Sequence, residues 1–237
     1  MSGHSKWSQI KRTKGILDKK KGVLFSRLSK QITLAARDGG DPDMNFKLRL
    51  AILKAKEQVM PKENIDRAIK KAAGMDGSIQ IQSLLYEGYG PSGTAFIVEA
   101  ASDNPNRAYQ NIRNIFTKNS GNISTQGTVA WMFQTKGQIL VERDANIDKL
   151  EMTAIDAGAD DVRESEEGLE VYTKPEGLEK VKDALVAAGA NIAQAEIIKE
   201  ASQGTDLTDE EKPVVQKLFD ALSDDEDVVA VHTSANL

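Results

Sequence analysis

Leu24, Leu28, Ile32 and Ala35 recur at intervals of three and four residues, the spacing that lines one helix face, and Gly39-Gly40 ends the pattern. A second stripe runs through Leu48, Ile52, Ala55 and Val59, preceded by Asp41-Pro42, which reads as an N-cap and first turn. Pro61 separates it from a third, with Ile65, Ala68, Ile69 and Ala72 inward and Gly74 closing. Three short helices are predicted. From about residue 81 the period shortens to that of strands. Ile81 to Tyr86 and Thr94 to Ala101 read as strands, Asn106 to Lys118 as an amphipathic helix through Ile112, Ile115 and Phe116, and Thr128 to Phe133 as a strand.

The next stretch is the most regular. Gln138 to Glu142, Asp161 to Ser165, Leu169 to Thr173 and Ala195 to Lys199 read as strands, and Ile147 to Ala157 and Glu176 to Ala188 as helices. The order is βαββαβ, the ferredoxin-like unit. Gly158 and Gly189 end its helices in matching contexts, DAGADD and AAGANI. A helix from Asp209 to Leu222 and a strand from Val228 to Val231 remain, and such a pair cannot form a core alone. It is expected to return to the earlier ββαβ segment. The predicted architecture is α+β in three domains: a basic arm and three-helix domain (1–76), a discontinuous α/β domain (77–135 plus 204–237), and an inserted βαββαβ domain (136–203), the last two ferredoxin-like.

Charge changes this picture. Residues 1–72 hold 18 Lys and Arg against 7 Asp and Glu, a net +11, while the remainder carries −16 and the whole chain −5. The overall acidity hides a basic N-terminal third of the kind that neutralises phosphates. Any single surface Lys is ordinary solvation, but a single-sign field is not. Lys6, Lys11, Arg12, Lys14, Lys19, Lys20 and Lys21 make the start of the chain a basic arm. His4 and Trp7 lie within the arm, and two readings stay open for each: stacking on a base or folding back onto the helices. Arg107, Arg113 and Lys118 are positive charges within the net acidic remainder of the chain and mark a candidate second patch. Asn104-Pro105 opens the helix that carries them.

Catalytic chemistry finds little to use. The chain has no Cys, and His4 and His232 sit at its opposite ends, so thiol chemistry and a His-rich metal site are excluded. Gly88-Tyr89-Gly90-Pro91-Ser92-Gly93 matches G-x-G-x-x-G but precedes a strand, so it reads as a tight connection between strands and not as a dinucleotide loop. Asp224 to Asp227 lacks the spacing of a calcium loop and reads as a solvated helix end. No cofactor, small-molecule substrate or enzymatic activity is expected. No run reaches the roughly 18 apolar residues of a membrane span, and MSGHSKW lacks a secretory segment. A cytoplasmic protein is expected.

The motifs G-H-S-K-W (Gly3–Trp7), R-L-A-I-L-K-A-K (Arg49–Lys56), M-P-K-E-N-I-D-R-A-I-K-K (Met60–Lys71), Y-E-G-Y-G-P (Tyr86–Pro91), D-N-P-N-R (Asp103–Arg107) and F-T-K-N-S-G-N (Phe116–Asn122) closely resemble the YebC/PmpR family. The resemblance covers essentially the whole chain. It implies three domains, one helical and two α/β, and a nucleic-acid partner. Family members are described mostly as DNA-binding transcriptional regulators. The mitochondrial branch, a translational activator of cytochrome c oxidase, and some bacterial members are associated with messenger RNA, the ribosome and translation of difficult sequences. The resemblance thus implies binding of DNA, or of ribosomal or messenger RNA, through Lys6, Lys11, Arg12, Lys14, Lys19, Lys20 and Lys21, with Arg27 and Lys30 beside them. Where many members read N-I-K-H-R-K after the Trp, this chain has Gln9-Ile10-Lys11-Arg12-Thr13-Lys14, which keeps the charge and loses one His.

Overall fold

The computed structural model describes residues 19–72, 81–143 and 146–237, with side chains from residue 22 onward. Three helices come first: α1 (Lys19–Ala35), α2 (Phe46–Glu57) and α3 (Lys62–Ala72). They pack around Leu28, Ile32, Leu48, Ala55, Met60, Ile65 and Ala68, all buried, which is the predicted stripe in most positions. Two details differ. The second helix opens at Phe46 instead of Asp41-Pro42, because Asn45 is the better cap. Its carboxamide oxygen accepts the Leu48 N–H at 3.1 Å, and its amide donates to the Ala35 and Gly39 carbonyls at 2.7 Å each. One side chain thus starts α2 and satisfies carbonyls at the end of the preceding helix. Val59 also leaves the stripe. The helix stops at Glu57, Val59 adopts a left-handed conformation (φ 57°) and is 82% exposed, and Met60 takes the inward position.

The next elements are β1 (Gln82–Tyr89), β2 (Ala95–Ser102), α4 (Pro105–Lys118) and β3 (Asn122–Ser124); near the C-terminus come α7 (Glu211–Ser223) and β8 (Val228–Thr233). Their strands form one antiparallel sheet in the order β3-β1-β2-β8. Buried Ile112 and Phe116 of α4 and Leu218 and Leu222 of α7 supply its core. These elements and the three helices, between Lys19 and Trp131 and from Gly204 to Ala235, form one compact unit.

The G-x-G-x-x-G segment is the expected strand connection: β1 ends at Tyr89, a single 3₁₀ turn spans Pro91–Gly93, and β2 follows. Only the last glycine serves the turn, at φ +71°. Gly88 and Gly90 are needed for close approach. A Cβ on Gly88 would lie 2.5 Å from the Asn122 carbonyl, and one on Gly90 would lie 2.6 Å from the Phe96 ring and 2.9 Å from Leu218. Gly90→Ala is therefore expected to cost about 1–3 kcal/mol by overpacking, measured as a lowered urea midpoint with an unchanged slope.

The strand predicted from Thr128 to Phe133 does not form. Its first part is a loop, Ala130–Met132 is a 3₁₀ turn, and β4 begins at Phe133 in the other sheet. The physical reason is Glu87, whose carboxylate takes the backbone N–H groups that a ladder would need.

The second unit, Met132–Gln203, contains β4 (Phe133–Glu142), α5 (Ile147–Ala157), β5 (Asp161–Glu164), β6 (Gly168–Thr173), α6 (Leu178–Ala187) and β7 (Ile192–Ala201). Its antiparallel order β5-β6-β4-β7 is that of a ferredoxin-like βαββαβ sheet. Ile139, Val141, Leu169 and Val171 of the strands are buried, as are Leu150 of α5 and Leu178, Val181 and Leu185 of α6. Gly158 and Gly189 hold left-handed conformations at the ends of α5 and α6, as the matching sequence contexts predict. The first sheet is likewise four-stranded and antiparallel, but its order is β3-β1-β2-β8 and its chain order is ββαβ followed by αβ. The protein is α+β, with a helical N-terminal region and two ferredoxin-like sheets. No helix among the described residues is long and apolar enough to cross a membrane.

Candidate nucleic-acid interface

The basic helices divide their charges into two groups. Three arginines act as fasteners, Arg27 and Arg49 half-buried and Arg37 exposed. Arg27 donates to the Ser223 carbonyl and, at 3.4 Å, to that of Asp225; Arg37 donates to the Ile81 carbonyl. Arg49 reaches the Pro42 and Asp43 carbonyls at 2.5 and 3.1 Å while its guanidinium lies 5.8 Å from the Phe46 ring centroid. Lys30 turns inward, and Lys47 pairs with exposed Asp38 at 3.1 Å. The second group points to solvent: Lys56 on α2 and Lys62, Arg67 and Lys70 on α3 are exposed, with no carboxylate partner among the described residues. Those four are placed where phosphate oxygens could reach them.

Arg27 and Lys30 converge on the acidic run. Asp227, read from sequence as part of a solvated helix end, has a wholly buried side chain. Its Oδ1 lies 2.6 Å from Lys30 Nζ and 3.2 Å from an Arg107 guanidinium nitrogen, and that nitrogen is 3.1 Å from Oδ2. Arg107 also donates to Ser102 Oγ at 3.2 Å and to Asp103 at 3.0 Å. Lys30 further donates to the Glu226 carbonyl at 2.8 Å. Burial alone would raise the pKa of Asp227, but the hydrogen bonds and charges of Lys30 and Arg107 outweigh it and hold the carboxyl below its ordinary value. Asp225, half-buried, moves the other way, raised by desolvation and by the neighbouring Asp227 and Glu226 charges. Desolvation lowers the pKa of Arg27, partly offset by Asp224 and Asp225. Asp224 and Glu226 are exposed, as expected for the run as a whole. Three residues expected at a nucleic-acid surface, Arg27, Lys30 and Arg107, are thus joined to one acidic turn.

A second buried carboxylate has no counterpart in the sequence reading. Glu87 on β1 is 1% exposed. One oxygen accepts the Gly127 N–H at 2.7 Å, and the other accepts those of Val129 and Ala130 at 2.8 Å each. Burial would raise its pKa; the three backbone donors more than compensate, and the carboxyl stays below its usual value. Directly after this pinned loop, Trp131 is 75% exposed, and its indole N–H donates to the Thr128 carbonyl at 3.0 Å. An odd buried Glu in a strand, opposite a run of small polar residues, was the available signal.

In the ferredoxin-like sheet of the second unit, Tyr172 occupies a central strand, where RNA-binding sheets of this architecture carry stacking aromatics. Here the ring is closed off. Tyr172 is 3% exposed, its hydroxyl donates to Glu170 at 2.8 Å and accepts from Gln138 at 3.1 Å, and the Arg163 guanidinium lies 4.4 Å from its centroid. Burial and the Glu170 charge raise its pKa. Arg163 and Lys136 are both tied to Glu200, at 2.8 and 2.6 Å. This is a structural network.

His4, Lys6, Trp7, Lys11, Arg12 and Lys14 lie outside the described residues; Lys19, Lys20 and Lys21 lie in the first turns of α1, where only the backbone is described. Arg113 and Lys118 stand exposed on α4.

A basic helical region attached to two ferredoxin-like sheets defines a class of multidomain α+β proteins, and comparison with known proteins makes the class specific. Residues 5–75 match the model of the TACO1/YebC protein N-terminal domain, and residues 81–235 that of the TACO1/YebC second and third domain. The chain belongs to the TACO1/YebC family. It is 51% identical to a "Probable transcriptional regulatory protein" of Desulfosudis oleivorans, covering 100% of this chain and 97% of that one. A protein of the same description from Thermoanaerobacter pseudethanolicus is 45% identical, over 100% and 98% of the two chains. The crystal structure of a conserved hypothetical protein from Aquifex aeolicus superposes with a TM-score of 0.84 at 39% identity, over 92% of this chain and 91% of that one.

Proposed function

We propose that this protein is a non-catalytic, nucleic-acid-binding regulator of gene expression that holds phosphates through its basic N-terminal third. The observation that carries the reading is the +11 of residues 1–72 set against −16 in the rest. Relatives described as probable transcriptional regulatory proteins support the regulatory part. We assign the contacts to the arm residues Lys6, Lys11, Arg12, Lys14, Lys19, Lys20 and Lys21, together with the exposed Lys56, Lys62, Arg67 and Lys70; the bonds that Arg27, Lys30 and Arg49 make within the fold support giving those three a structural role instead. Point charges of this kind position a protein on a phosphate backbone without reading sequence.

The test is a titration of labelled duplex DNA and of structured RNA across salt concentrations. Affinity should fall linearly on a log–log plot, with a slope of about −0.9 per phosphate neutralised on duplex DNA. Changing Lys11, Arg12 and Lys14 together to Gln should make the slope shallower by about two to three units. A slope near zero for the unaltered chain would refute phosphate contact. The nucleic acid with the higher affinity at matched salt identifies the preferred target.

A further inference from the structure

The three helices have a hydrophobic core of their own: every residue of the cluster around Leu28, Ile32, Leu48, Ala55, Ile65 and Ala68 lies between Leu24 and Ala72. A row of polar contacts ties α1 to the end of α7 and the start of β8. Arg27, Lys30 and Gln31 stand at i, i+3 and i+4 on α1 and so share one face of the helix. Arg27 donates to the Ser223 and Asp225 carbonyls, and Lys30 donates to the Glu226 carbonyl at 2.8 Å and to Asp227 Oδ1 at 2.6 Å. Gln31 donates to the Val229 carbonyl at 3.4 Å. Farther along, Arg37 donates to the Ile81 carbonyl.

The turn from Ser223 to Asp227 offers these cations what a nucleic-acid backbone offers: closely spaced oxygens in a field of negative charge. Asp224, Asp225, Glu226 and Asp227 follow one another in the chain. Guanidinium and ammonium groups bind phosphate oxygens by the same charge-assisted hydrogen bonds. Bonds of this kind exchange for bonds to water or phosphate, whereas buried apolar surface has no substitute partner in water. Parting α1 from the turn also leaves no carboxylate stranded, because Asp227 keeps Arg107 of α4 at 3.1 Å. We infer that the turn between α7 and β8 is an autoinhibitory latch, which holds Arg27 and Lys30 in the free protein and gives them up to the backbone of a bound nucleic acid. This rests on the nucleic-acid reading above and adds regulation to it. The structural role of Arg27 and Lys30 belongs to the closed protein, and in the open one they are phosphate contacts. The open form offers a nucleic acid two more cations, which is the differential affinity that a shift between two states requires.

The test holds the latch shut. The chain has no Cys, so Gln31→Cys and Val229→Cys can be joined by a short bismaleimide in the full chain, with the unreacted protein as control. Both forms are titrated with labelled duplex DNA and with a structured RNA across salt concentrations. The joined form should bind about tenfold or more weakly at fixed salt, and its log–log slope on duplex DNA should be shallower by about two units. Arg27→Gln combined with Lys30→Gln, in the otherwise unaltered chain, should flatten the slope by about the same amount. Residues that only hold the fold together would leave the slope where it was. An unchanged slope on both nucleic acids, in either the joined form or the double variant, overturns the latch and leaves the nucleic-acid reading standing. Absence of binding by the unaltered chain to either nucleic acid at low salt overturns both.

Discussion

Asp227→Ala is expected to lower the unfolding free energy by about 3–5 kcal/mol, among the largest effects for a single residue in this chain. The side chain is fully buried and holds Lys30 of α1 and Arg107 of α4 at 2.6 and 3.1 Å, joining the helical region to the first sheet at the end of α7. Removing the carboxylate leaves the two cations facing each other without the buried charge they share, Arg107 keeping only its exposed pair with Asp103. The exposure of Arg107, 42% at its side chain, lets water recover part of the loss, which puts the expectation near the lower end. Lys30, at 16%, has less access to water. The measurement is a urea titration of the alanine variant, with a double-mutant cycle against Lys30→Met. The cycle should return a coupling of about 1 kcal/mol or more, and strict additivity would show that the two residues act independently.

The same site sets a pH dependence. Asp227 and Glu87 both have depressed pKa values in the fold. Their stabilisation is complete above the ordinary carboxyl values of 3.8 and 4.5 and is lost as pH falls through the lower folded values. Asp225, raised in the fold, opposes this: its contribution is favourable at low pH and falls away as pH rises from 3.8 to its folded value. With Glu211 also depressed by hydrogen bonds from Thr208 and Ser92, three depressed groups against one raised group predict net acid destabilisation, with a steeper loss below about pH 4 than an Asp227→Asn variant would show.

Glu87→Gln is expected to cost about 2–3 kcal/mol, even though the shape is kept. The carboxylate accepts three backbone donors at 2.7–2.8 Å, and an amide can offer only one acceptor atom and brings a donor toward the remaining N–H groups. Val129 N is buried and would have no water to turn to. The readout is a lowered urea midpoint together with faster hydrogen exchange at Gly127, Val129 and Ala130. Unchanged exchange at those three amides would show that the carboxylate does not hold the loop.

The success and failure of the sequence reading follow the range of the forces involved. Leu28, Ile32, Leu48, Ala55, Ile65 and Ala68 were readable as core because a helix repeats its burial every three to four residues. Gly158 and Gly189 were readable as stops because a left-handed conformation is a local demand. Val59 was misread because the stripe carries no mark of where the helix stops, and Asn45 was passed over because its tertiary bonds to Ala35 and Gly39 favour it over Asp41. The strand predicted at Thr128 to Phe133 has a suitable pattern, but its amides were claimed by Glu87, 40 or more positions earlier. The acidic run looked solvated because its partners, Lys30 and Arg107, lie 197 and 120 positions away.

The sequence by itself determined the family, the α+β alternation, most of the inward positions and the charge division at about residue 72, since each depends on local period, turn chemistry or plain counting. Only the tertiary structure decided which charges are free. Arg27, Lys30 and Arg107 have the same formal charge as Lys56, Lys62, Arg67 and Lys70, but carbonyls and a buried carboxylate brought in from remote parts of the chain hold the first three. A Coulombic contact depends on distance in space, and the order of residues does not encode that distance until the chain has folded.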